Sequence, residues 1–74
     1  MTDKMPEVGD VWELRGIRDY ILSADACTIR ICYYSQIKKG VTIVNYLTKE
    51  YVKDAKYLGK SKGSIKDLFE VKDD

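Results

Sequence analysis

The sequence contains no histidine, one proline, one tryptophan and two cysteines. Each scarcity excludes something. Without histidine there is no Ser–His or Cys–His pair, and the commonest general base and metal ligand is missing. Two thiols alone supply too few ligands for a zinc site. No P-loop and no dinucleotide fingerprint is present either. The expectation is a chain that is not an enzyme and uses no metal or cofactor. Long apolar runs are also lacking: the longest, Ile31-Cys-Tyr-Tyr34, has four residues. A membrane span needs about eighteen or more. The opening, Met1-Thr-Asp-Lys-Met-Pro-Glu7, is polar and runs into no apolar signal segment. These features read as a soluble, cytoplasmic protein. Charge of one sign is missing as well, since 13 Lys+Arg face 12 Asp+Glu for a net charge of +1. That excludes a strongly basic nucleic-acid coat and an acidic DNA mimic.

What is present is a short, globular composition: 74 residues, 45% of them hydrophobic. A chain of this size buries roughly 60% of its unfolded surface. Residues 1–74 are therefore one domain with one core, and function is displayed on the outside. Residues 1–7 and 72–74 are expected to be flexible.

Strand signals dominate. Gly9-Asp10 marks a turn, and Val11-Trp-Glu-Leu14 alternates as a first strand, interrupted by Arg15-Gly16. Ile17–Ser23 reads as a second strand, and Ala24-Asp25-Ala26 as a hairpin connection. Residues 27–34 are rich in β-branched and aromatic side chains and form the clearest strand. Alternation puts Cys27, Ile29, Ile31 and Tyr33 on one face. Thr28, Arg30, Cys32 and Tyr34 take the other, which Arg30 marks as the wetter. Residues 35–40 read as a polar loop and 41–47 as a fourth strand, with a bulge near Asn45 to reconcile its faces. At Thr48 the spacing turns helical. Thr48 is a suitable N-cap and Glu50 an acid in the first turn, so 49–54 is predicted as a short helix. Lys56-Tyr-Leu-Gly59 is a closing strand. Ser64-Ile-Lys-Asp67 fits a capping box, so residues 64–71 form a short C-terminal helix or strand.

Cys27 and Cys32 lie five residues apart on one strand, about 16 Å between Cα atoms at ~3.3 Å per residue. A disulfide needs less than about 7 Å, so both are expected as reduced thiols, with Cys32 the more accessible.

Short strands separated by turn signals imply a small barrel or sandwich. Val8-Gly-Asp-Val-Trp-Glu13, followed by two strands, and Leu47-Thr-Lys-Glu-Tyr51 before Lys56-Tyr-Leu-Gly59, resemble small phage-encoded SH3-like proteins. Those open with Gly-Asp-x-Trp and end with a Leu-Ser-x-x-Phe helical turn. The resemblance covers roughly residues 8–59. It implies a mainly β fold: an SH3-like barrel of about five strands with one short helical turn near 49–54. It also implies the host cytoplasm as the setting. It carries no single activity, because a fold does not fix a function.

Surface chemistry is the remaining guide. Trp12 reads as a core or rim aromatic. The six tyrosines are many for this length, and tyrosine suits interfaces through its apolar body and polar tip. Residues 1–25 carry six acids and three bases, whereas residues 38–66 carry eight lysines and two acids. The candidate interface is therefore Tyr33, Tyr34, Tyr46, Tyr51 and Tyr57, with Lys53, Lys56, Lys60 and Lys62. The expected role is a small module that binds a protein partner, for example a host protein. The alternatives are a nucleic-acid-binding module using the Lys/Tyr-rich face, and a structural or assembly homo-oligomer. Asp19 and Asp25, both near the hairpin, read as solvated turn acids.

Overall fold

The computed structural model describes residues 4–33, 42–63 and 67–71. Its elements run β1 (Asp10–Leu14), β2 (Ile17–Ala24), β3 (Thr28–Tyr33), β4 (Val44–Leu47), α1 (Thr48–Asp54) and β5 (Lys56–Lys60). The protein is mainly β. All neighbouring strands are antiparallel, and they form one five-stranded sheet in the order β4-β3-β2-β1-β5. The result is a small barrel-like fold with one short helix between the fourth and fifth strands. Among the described residues no helix is long and apolar enough to cross a membrane.

Local chemistry accounts for the turns. Leu14 pairs with Ile17, so Arg15-Gly16 is a two-residue hairpin loop. Both residues have positive φ, 54° and 82°, as a type I′ turn requires. Arg15 is thus a non-glycine residue in the left-handed region. The β2–β3 turn is held by Asp25, whose Oδ1 accepts hydrogen bonds from the backbone N–H of Cys27 (2.8 Å) and Thr28 (2.7 Å).

The core forms on the face of the sheet that α1 covers. Trp12, Ile21, Ile29, Ile31 and Tyr51 are buried together, with Tyr33, Val44, Tyr46 and Tyr57 packed against them. The Trp12 ring lies 6.0 Å from that of Tyr51 and 5.4 Å from that of Tyr57. Trp12 is thus a core residue.

The opposite face is also covered, which corrects the reading of β3. Tyr20 pairs with Cys32 on that face, and Phe69 packs edge-on against Tyr20 at 6.1 Å. Arg18 donates to the Phe69 carbonyl at 3.2 Å. Cys32 is buried, whereas Cys27 is exposed in the hairpin turn. Strand alternation saw which residues share a face, not that the C-terminal segment lies over it.

Other boundaries shift. The helix begins at Thr48, but its N-cap is Leu47 with no side-chain cap. The Thr48 hydroxyl instead donates to the Asp25 carbonyl (3.3 Å), and its N–H donates to the Cys27 carbonyl (3.0 Å), which ties α1 to the β2–β3 turn. Strand β4 is four residues and pairs with β3 without a bulge. Val44 and Tyr46 face inward, and Leu47 is exposed. The bulges fall instead at Leu58 of β5 and Leu22 of β2. Residues 4–7, expected as a flexible lead-in, lie against the sheet with Pro6 buried and the Glu7 N–H donating to Asp10 at 2.9 Å. At the other end, Ser61 bridges Val71. The predicted loop at 35–40, residues 64–66 of the capping box and the 72–74 tail lie outside the described residues.

Candidate binding pocket between the β1–β2 turn and α1

The strand periods decide what the core face carries. Asp19 shares its face of β2 with Ile21, and its register partners are Trp12 on β1 and Tyr33 on β3. A carboxylate therefore sits in the middle of the sheet with no exposed surface. Helix α1 supplies its partner: the Tyr51 hydroxyl donates to Asp19 Oδ2 at 2.7 Å. Asp19 Oδ1 has no hydrogen-bond partner among the described residues. Burial pushes the Asp19 carboxyl up to about 6, against the opposing pull of the Tyr51 hydrogen bond. Burial, then Asp19 itself, pushes the Tyr51 hydroxyl far above the usual tyrosine range.

Above this buried pair lies a cavity of about 490 Å³. Its walls include Tyr33 and Tyr46, whose hydroxyls are 3.0 Å apart. The Tyr46 ring lies 5.3 Å from that of Tyr51. The hydrogen bond with Tyr33, and after it burial, raises the Tyr46 hydroxyl to about 12, so it stays protonated. Leu14, Arg15 and Ile17 form one lip, and Glu50, Lys53 and Asp54 of α1 form the other. A cleft lined by three tyrosines over an acid with one oxygen unmatched among the described residues marks a candidate binding site, because folding alone gains nothing from a desolvated, half-partnered carboxylate.

Of the candidate interface residues, the structure brings Tyr33, Tyr46, Tyr51 and Lys53 together here. Tyr57 and Lys56 line a separate groove with Lys4, Met5, Trp12, Val52 and Ala55. The Lys4 ammonium lies 4.6 Å from the centre of the Tyr57 ring. Lys60 is in an ion pair with buried Asp10 at 2.7 Å and with Glu7 at 3.1 Å. Lys62 pairs with Glu70 at 3.2 Å. Tyr34 lies outside the described residues.

The sequence reading missed Asp19. It is no turn acid: Asp25 alone holds the turn, and Asp19 belongs to the core face. The signal was present, since alternation along Ile17-Arg-Asp-Tyr-Ile21 puts Asp19 in line with two isoleucines. Compared with known protein families, curated proteins and solved structures, the chain finds no match.

Proposed function

We propose that this protein is a non-enzymatic binding module that engages a protein partner through the pocket between the β1–β2 turn and α1. The observation that carries this reading is the gathering of three tyrosines from β3, β4 and α1 around one buried acid. Tyrosine suits recognition surfaces because it offers apolar area with a polar tip. Exposed Ile17 at the lip extends the apolar area outward. The phage-type setting and a host-protein partner belong to the same proposal, and rest on the resemblance of residues 8–59.

The test uses Ile17→Glu, a change at an exposed residue that leaves the core alone. Affinity capture from a host lysate with wild-type protein is expected to yield one stoichiometric partner, and Ile17→Glu to lose it. A partner retained undiminished by Ile17→Glu, or no partner at micromolar protein, counts against the reading.

The nucleic-acid alternative draws less support. Lys60 and Lys62 are engaged by acids on the protein itself, and Lys53 shares its lip with Glu50 and Asp54. Phosphate binding draws on lysines whose charge is not already met.

A further inference from the structure

Resting on the reading of this pocket as an interaction site, we propose that the group it takes is the alkylammonium of a lysine side chain, seated on Asp19 among the rings of Tyr33, Tyr46 and Tyr51. Three observations converge on that chemistry. First, Asp19 offers one free oxygen, because Oδ2 is committed to the Tyr51 hydroxyl. A guanidinium prefers to bind a carboxylate through both oxygens, and that mode is closed here. A compact ammonium needs one oxygen and can give its other protons to neighbouring acceptors. The hydroxyl oxygens of Tyr33 and Tyr46, on residues that line the same cavity, are such acceptors. Second, the rings attract cations, and the attraction acts within about 6 Å of a ring centre. Third, the charges around the cavity favour one positive charge. Among the described residues that line the cavity, Arg15 and Lys53 balance Glu50 and Asp54 at the lips, and Asp19 leaves one negative charge in excess.

Asp19 has no exposed surface at rest, so entry requires side chains above it to part. Tyr33 and Tyr46 are only half-buried, and their hydroxyls are joined by one hydrogen bond. Their rotation is the motion the pocket needs.

Protonation of Asp19 competes with the incoming cation. Around it stand Tyr51 on α1, Tyr33 and Cys32 on β3, Tyr46 on β4 and Arg15 in the β1–β2 turn. The Tyr46 and Tyr51 hydroxyls and the Cys32 thiol are all held above their usual ranges, so they stay neutral across the range in which Asp19 titrates. Any change in binding between pH 7.5 and 5 that Asp19→Asn abolishes therefore belongs to Asp19.

The experiment is a nitrogen-15 NMR titration of the full chain with four probes: N-acetyl-lysine methylamide, its Nε-acetylated form, N-acetyl-arginine methylamide and butylamine. The lysine compound is expected to shift the amides of Asp19, Tyr33, Tyr46 and Tyr51 saturably. The arginine compound should bind more weakly and the acetylated one not at all. Lowering the pH from 7.5 to 5 should weaken the lysine compound about tenfold, the fraction of Asp19 still ionised setting the apparent affinity. Asp19→Asn should abolish that pH dependence. Because Asp19→Asn touches the core, Glu50→Lys with Asp54→Lys provides a second arm on exposed residues, and severalfold weaker binding is expected. Butylamine binding as tightly as the lysine compound assigns the pocket to free amines, and tighter binding of the lysine compound assigns it to protein side chains. Either result sustains the ammonium. Equal binding of the acetylated form, or an affinity indifferent to pH and to both variants, overturns the proposal. If Ile17→Glu abolishes partner capture while no ammonium shifts Asp19, the interaction face stands and the ammonium falls. If the ammonium binds while capture ignores Ile17→Glu, the pocket takes amines and the protein-partner reading falls.

Discussion

Asp19 makes the fold less stable than an apolar core would. Its carboxyl is raised from an ordinary value of 3.8 to about 6. The folded state therefore holds its proton more tightly than the unfolded state does. The sign follows directly: the group's contribution is complete below about pH 4 and is lost as pH rises through about 6. Holding the ionised carboxyl in the core at neutral pH costs about 3 kcal/mol, at 1.36 kcal/mol for each pH unit. Asparagine removes the titration. Relative to wild type, Asp19→Asn should gain stability between pH 4 and pH 7.5 by an amount approaching that cost. Urea denaturation of both proteins at the two values checks it, and parallel curves would show that Asp19 ionises freely. Tyr51 belongs to the same account. Its hydroxyl is the one donor that the described structure gives the acid.

At the scale of elements, two turns do different work. The Arg15-Gly16 turn places a charged residue with φ of 54° at the pocket lip, where a non-glycine residue is strained. The Asp25 turn is ordinary and stabilising. Its carboxylate accepts hydrogen bonds from Cys27 and Thr28, which hold it below the usual aspartate range. Its pH dependence is opposite to that of Asp19: the contribution is present above 3.8 and lost as pH falls through the lower folded value. Asp25→Ala should lower the melting temperature at pH 7. Asp25→Asn, which keeps the acceptor oxygen, should restore most of the loss. If both variants melt alike, the turn hydrogen bonds are not what holds it. Because Thr48 is bonded to the Asp25 and Cys27 carbonyls, this turn also positions α1. The helical signal at Thr48 was legible in sequence, but the reason for it was not a cap. The hydroxyl looked like an N-cap because local sequence shows only local partners, and its actual partner is 23 residues away.

Across the whole molecule, one sheet is covered on both faces, by α1 on one and by the segment around Phe69 on the other. A chain of 74 residues has little core to spare, so the second cover matters. On that face Cys32 is buried, and first that burial and then the charge of Asp19 hold its thiol above the usual range. A thiol-specific reagent should react quickly with one thiol per chain, Cys27, and with the second only after unfolding. Phe69→Ala should bring Cys32 into rapid reaction and cost roughly 3 kcal/mol of stability. Two fast thiols in the wild-type protein would show that the C-terminal segment does not cover this face.

The sequence by itself determined the order of the strands and the helix that follows the fourth, because these follow from side-chain period, β-branching and turn chemistry within a few residues. It also supplied the tyrosines Tyr33, Tyr46 and Tyr51 as candidates. Only the tertiary structure decided which of them meet, that Lys60 and Lys62 are engaged elsewhere, and that Cys32 rather than Cys27 is buried. Those outcomes depend on contacts between residues far apart in the chain. The missing histidine removed the usual titrating group near neutral pH. The fold supplies another, by burying Asp19 with one oxygen unmatched among the described residues, which raises its carboxyl to about 6, near the range histidine would have covered.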